Sequence, residues 1–161
     1  MKKFAMFVFV LTVVLAFNKT SFAQEKPIQI ALFNPVQIFP ENESIAGLRI
    51  SILYGKNRNV TGLDWGLVNS TSGKQVGLQY GFVNRVDSGF LGLEAGFVNI
   101  TDSQFEGLQW GFVNYHKGKV SGLQLGFINY AGSMKGIQIG LVNIINKGGM
   151  FPFFPIVNWS F

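Results

Sequence analysis

The chain has 161 residues, a formal net charge of +5, no cysteine and one histidine, His116. Disulfides, thiolate metal sites and cysteine nucleophiles are therefore excluded, and a single imidazole cannot form a histidine cluster. Much of the positive charge lies near the start of the chain, so its distribution matters more than its sum.

Lys2 and Lys3 precede an apolar run over 4–17 that is broken only by Thr12, and Ser21-Phe22-Ala23 follows as a small-x-small site. This layout predicts a secretory signal peptide over 1–23, cleaved after Ala23, with 24–161 as a single β-repeat domain. Lys2, Lys3 and Lys19 leave with the leader, and the net charge falls to about +2. No basic run remains that would track phosphates, so nucleic acid is not an expected partner.

Downstream, one eight-residue block recurs from Gly62, Gly77, Gly92, Gly107, Gly122 and Gly136. It reads G-[LI]-x-x-G-[LF]-[VI]-N, and self-similarity at a fixed period marks a repeat architecture. Degenerate copies flank it: "PIQIALFN" at 27–34, "GLRISILY" at 47–54 and "FPFFPIVN" at 151–158. The prolines (Pro27, Pro35, Pro40, Pro152 and Pro155) all fall in the terminal units. Proline lacks a ladder donor and belongs at sheet edges, which makes these units the ends.

Each block alternates with period two, the signature of a strand. Its second, fourth and sixth positions are apolar, and the fourth runs Ile30, Ile50, Trp65, Tyr80, Ala95, Trp110, Leu125, Ile139, Phe154. The third position is polar: Arg49, Asp64, Gln79, Glu94, Gln109, Gln124 and Gln138 form the candidate polar row. The two glycines share that polar face, although glycine inside a strand costs about 0.5–1 kcal/mol against alanine. An antiparallel pairing would set small residues opposite large ones. Parallel stacking would instead build ladders of Gly, Gln and Asn, and the pattern fits both.

The expected fold is all-β, with about nine amphipathic strands. The leading arrangement is a small antiparallel outer-membrane-type β-barrel, favoured by export, by outward apolar alternation and by the aromatic end Val157-x-Trp159-x-Phe161. Against it, the apolar band spans only about 17 Å where a barrel needs about 25 Å. The alternative is a β-solenoid with one block per coil and its apolar face turned inward. Trp65, Tyr80, Ala95 and Trp110 differ too much in volume to fit comfortably as successive layers of such a narrow core.

The block at its 15-residue period resembles the bacterial surface-repeat proteins of the leptospiral type, over about 27–158. The resemblance implies a cell-surface or envelope location, and it implies neither a reaction nor a ligand.

Catalytic candidates are sparse. Ser103, Asp102 and His116 suggest a triad on paper, but they lie in polar stretches between blocks that turn chemistry explains. The polar row is the better site candidate, as a girdle lining a lumen, as a display surface, or simply as neighbours bonded to one another. The repeated asparagines (Asn69, Asn84, Asn99, Asn114, Asn129, Asn143, Asn158) are expected to end strands. Trp65, Tyr80, Trp110 and Phe112 suit a core or lipid contact better than sugar stacking. The expectation is a non-enzymatic exported envelope protein, at the outer membrane or cell surface. It is expected to hold no cofactor and to have membrane lipid, and an unidentified surface ligand, as partners.

Overall fold

A computed structural model describes residues 25–161, so the signal-peptide reading of 1–23 lies outside the described residues. Strands β1 (Lys26–Phe33), β2 (Val36–Gln37), β3 (Ile45–Asn57), β4 (Val60–Thr71), β5 (Lys74–Val86), β6 (Gly89–Thr101), β7 (Gln104–Lys147) and β8 (Phe153–Ser160) follow one another along the chain. They form one sheet in the order β2-β1-β3-β4-β5-β6-β7-β8. From β1 to β7 every neighbouring pair is parallel.

Parallel pairing in sequence order is the mark of a coil. Each block lies on the one before it in strict register, with Gly62 on Gly77, Asp64 on Gln79 and Asn69 on Asn84. The chain is thus an all-β solenoid of about six turns, the alternative arrangement, and the antiparallel barrel is not what it forms. A repeat of constant length makes this possible, because each coil returns the chain to the same point one strand spacing further on.

The ends differ from the body as the prolines foretold. β2 joins β1 antiparallel, and β8 folds back antiparallel onto the last coil of β7, pairing Gly136 with Ser160 and Ile139 with Val157. Pro155 sits on this outermost strand, where no ladder donor is missed. The stretches between blocks are shorter than expected. Only Ser72-Gly73, Asp87-Ser88 and Asp102-Ser103 separate strands β4 to β7, and 117–119 lies within β7 itself.

The interior corrects the second sequence expectation, because the apolar face of the blocks points outward. In one coil Phe105, Gln109, Asn114 and His116 are fully buried or nearly so, while Trp110 and Phe112 are exposed. The core has two halves. An apolar half (Val86, Phe90, Phe105, Val120, Ala131, Met134, Ile145) is built from residues that lie between the blocks. There Phe90 and Phe105 stack with centroids 5.2 Å apart. The other half is polar and is filled by the third and eighth positions of the six regular blocks that begin at Gly62 to Gly136.

Candidate binding face

The polar half of the core holds together because equivalent amides of successive coils reach each other. In the third-position row Gln138 donates to Gln124 at 2.8 Å, Gln124 to Gln109 at 2.7 Å, and Gln109 to Glu94 at 2.7 Å. Further up, Gln79 donates to Asp64 at 2.6 Å. Asp64 in turn accepts two bonds from Arg49, 2.7 Å from Nε and 2.6 Å from Nη2. Arg49 also donates to Ser70 O and Thr71 Oγ1. The whole row, from Arg49 to Gln138, is buried. It is neither a lumen girdle nor a display surface; its members bond to their neighbours along the coil axis.

The asparagines form a second ladder with the opposite polarity. Asn69 donates to Asn84, Asn84 to Asn99, Asn99 to Asn114, Asn114 to Asn129 and Asn129 to Asn143, all at 2.8–3.0 Å. These donors point toward the C-terminus, while the glutamines donate toward the N-terminus, so the two rows of amide dipoles oppose each other. Each of the five donors, Asn69 to Asn129, also binds the fourth-position carbonyl of the next coil, as Asn99 does to Trp110 O at 2.9 Å. Asparagine was expected to end strands. It instead sits inside them and pins a corner, where the pairing passes from Gly66 to Val68 without using position 67.

A single rung of this ladder can be weighed. Asn99→Ala removes two donated bonds and leaves one of the two Asn84 amide N–H groups without its acceptor, the other still reaching Ala95 O. A buried donor left unmade costs about 1–3 kcal/mol. Urea denaturation is expected to show a loss of about 2–3 kcal/mol, and a loss below 0.5 kcal/mol would remove the ladder from the account of stability.

Among the buried titratable groups, two are displaced from their ordinary ranges. Burial pushes Glu94 up to about 8, against the opposing pull of the Gln109 hydrogen bond and the nearby Thr101 side chain and with a further upward push from Asp64. Glu94 is therefore protonated at neutral pH and takes its place in the row as a neutral group. Burial pushes His116 down to about 4, with Asp102 opposing. His116 is uncharged at neutral pH, its Nδ1 lies 2.6 Å from Thr101 O, and its ring meets Phe105 edge-on. Asp102 turns instead to Arg85 and Lys117, each at 2.9 Å. His116 and Asp102 of the imagined Ser103–His116–Asp102 set are thus committed to other partners. Among the described residues no group of three or more His, Asp or Glu side chains is placed to hold a metal ion.

What the polar residues leave unexplained is on the outside. Register stacks the second positions of successive coils (Leu48, Leu63, Leu78, Leu93, Leu108) into one column and the fourth positions (Ile50, Trp65, Tyr80, Ala95, Trp110) into the next. The sixth positions form a stacked aromatic file, Phe82, Phe97, Phe112 and Phe127, with ring centroids 4.8–5.0 Å apart. Trp65, Tyr80 and Trp110 are 57%, 60% and 63% exposed. Monomeric soluble proteins rarely leave a contiguous apolar surface of this kind uncovered, and such patches mark interaction sites. Between the fourth- and sixth-position columns runs a groove of about 710 Å³, floored by Gly66, Gly81, Gly96 and Gly111. Its lining is almost wholly apolar, and it lacks the converging polar side chains that fix the orientation of a sugar or a charged ligand.

No helix of the described residues is long and apolar enough to cross a membrane, which leaves strand-based or surface association untouched. Comparison with protein-family models, with curated proteins and with solved structures finds no match for this chain.

Proposed function

We propose that the protein is a non-catalytic binding module of the bacterial envelope, a β-solenoid that works by association through its outer apolar face. The observation that carries this reading is the set of in-register apolar columns left exposed, while the chemically capable side chains are spent inside the coil. Export, expected from the leader-like start, puts the module at the cell surface or outer membrane, in keeping with the surface-repeat proteins it resembles. A flat, repetitive face of this kind suits assembly and adhesion.

Absence of cysteine makes a direct test possible, because a single engineered thiol has no background. Leu78→Cys places a probe on the apolar face, and Ser88→Cys places one on an exposed turn outside it. In envelope preparations of cells expressing each variant from the full sequence, a bulky polar maleimide is expected to label the Leu78→Cys protein at least about tenfold more slowly than the Ser88→Cys protein. Denaturation should equalise the two rates. Equal rates in the native envelope would show the face uncovered and would overturn the proposal.

A further inference from the structure

We infer that the occupant of the apolar face is a second copy of this chain, related by a twofold axis that lies in the face, runs parallel to the strands and passes between the levels of Tyr80 and Ala95. This rests on the reading of that face as the working surface, and adds the partner.

An isologous interface must be complementary to itself under its own twofold axis. The fourth-position column meets that condition. Its axis brings Tyr80, the bulkier residue, opposite Ala95 of the other copy, and Ala95 opposite the other Tyr80. One level further out Trp65 faces Trp110. Beyond these, Ile50 falls opposite Leu125, and at the ends Ile30 falls opposite Ile139, so every level finds an apolar partner.

The surface has the matching shape. Ala95 is only 6% exposed, while Tyr80 and Trp110 on either side are 60% and 63% exposed, so the column carries a notch at its centre. The groove of about 710 Å³ includes this notch among its lining and has room for an aromatic ring. A lipid surface would accept an even column as readily as a notched one, whereas a second copy bearing Tyr80 requires the notch. Charge does not oppose the pairing at its centre, where Val76 falls opposite Leu91 and Glu106 opposite Thr61; the one like-charge pair, Lys26 opposite Lys135, lies at the two ends.

The area is sufficient. About eight strand levels at about 4.8 Å, each presenting about five residues of about 3.3 Å rise, give a footprint of roughly 600 Å² per copy. Roughly 1,200 Å² in total lies at the lower end of the range for specific interfaces.

The test is sedimentation velocity on the protein expressed from its full sequence, with β-structure checked by circular dichroism. The unaltered protein is expected to be a dimer at micromolar concentration. Ala95→Trp fills the notch with a side chain that the neighbouring level already carries, and is expected to weaken self-association at least about thirtyfold. Tyr80→Ala should weaken it in the same direction. The double exchange Tyr80→Ala/Ala95→Tyr is expected to recover association to within about threefold of the unaltered protein, because the axis places position 80 of one copy on position 95 of the other. An unaltered protein that stays monomeric at tens of micromolar overturns the inference, and so does a double exchange no better than the weaker single variant. A monomer whose Leu78→Cys variant is still shielded in the envelope would assign the face to lipid or to another protein. A monomer whose Leu78→Cys variant labels as fast as Ser88→Cys would end both proposals.

Discussion

Glu94→Gln is expected to make the solenoid more stable at neutral and alkaline pH by several kcal/mol, and to remove its loss of stability between about 6.5 and 8, leaving the opposite rise between about 4 and 6.5 that the depressed His116 contributes. The row of third positions shows why. Gln109 donates to Glu94 Oε2 at 2.7 Å, and Gln79 donates away from Glu94, to Asp64. Gln79 Oε1 and Glu94 Oε1 are both buried and without a partner, on rungs that stand directly in register. A protonated Glu94 brings a donor to a row that here carries two unpaired acceptors. With its pKa raised to about 8, Glu94 binds a proton in the folded chain over a range where the unfolded chain, titrating near 4.5, does not. Its stabilising effect is thus fully present below about 4.5 and is lost as pH rises through about 8, at about 1.4 kcal/mol per unit in between. Glutamine supplies the same donor and acceptor without a proton to lose. Urea denaturation of both proteins from pH 4 to pH 9 measures this directly. The curves should meet near pH 4 and diverge steadily toward pH 8. Curves that stay parallel across that range would show that Glu94 carries no proton in the folded protein.

The same row shows where sequence reading reached and where it stopped. Period-two alternation and the fixed repeat were enough for the strands, the order of the units and the proline-marked ends. Ladders of Gly, Gln and Asn were foreseeable once parallel stacking was granted. Which face points inward was not. Apolar-in is the usual rule because a buried amide without a partner costs about 1–3 kcal/mol. Along most of the row that cost does not arise, since Gln124 meets Gln109 and Gln138 one coil away, a consequence of parallel register that no single block reveals. The spread of volumes at Trp65, Tyr80, Ala95 and Trp110 counted against a solenoid only while that column was placed in the core. On the outside, nothing requires these residues to match in size within one chain, and their unevenness becomes the notch. Phe90 and Phe105 were missed as core because they sit between the blocks, in stretches whose aspartates and serines read as loops. The signal available was their own spacing, with Val60, Gln75, Phe90, Phe105 and Val120 recurring at the block period.

The glycines give the second large effect, and it depends on where along the solenoid the change is made. Gly92→Ala is expected to cost about 4 kcal/mol or more, because two separate penalties act on one methyl group. Gly92 has φ +134°, a conformation that side-chain-bearing residues rarely adopt, which alone costs about 1–3 kcal/mol. A Cβ built there also runs into the carbonyl of Gly77 on the coil before, and backbone cannot rotate aside as a side chain can. Overpacking of that kind adds about 1–3 kcal/mol, and here it forces apart the coils that carry Gln79 and Glu94. Gly148 is the control: its φ of +74° is left-handed, but nothing lies within 4 Å of its Cβ, so Gly148→Ala should cost only the conformational strain, about 1 kcal/mol. In a structure whose coils contact only their neighbours, stability adds up along the stack. A lesion at Gly92 therefore divides the solenoid in its middle, while Gly136→Ala, with the same positive φ, frays only the last coil and β8. Thermal unfolding followed by circular dichroism should show Gly92→Ala melting about 10 °C or more below the unaltered protein. Gly136→Ala should instead broaden the transition with a smaller shift. Equal shifts for Gly92→Ala and Gly148→Ala would mean that the coils do not stack glycine on glycine, and the parallel register would fall with them.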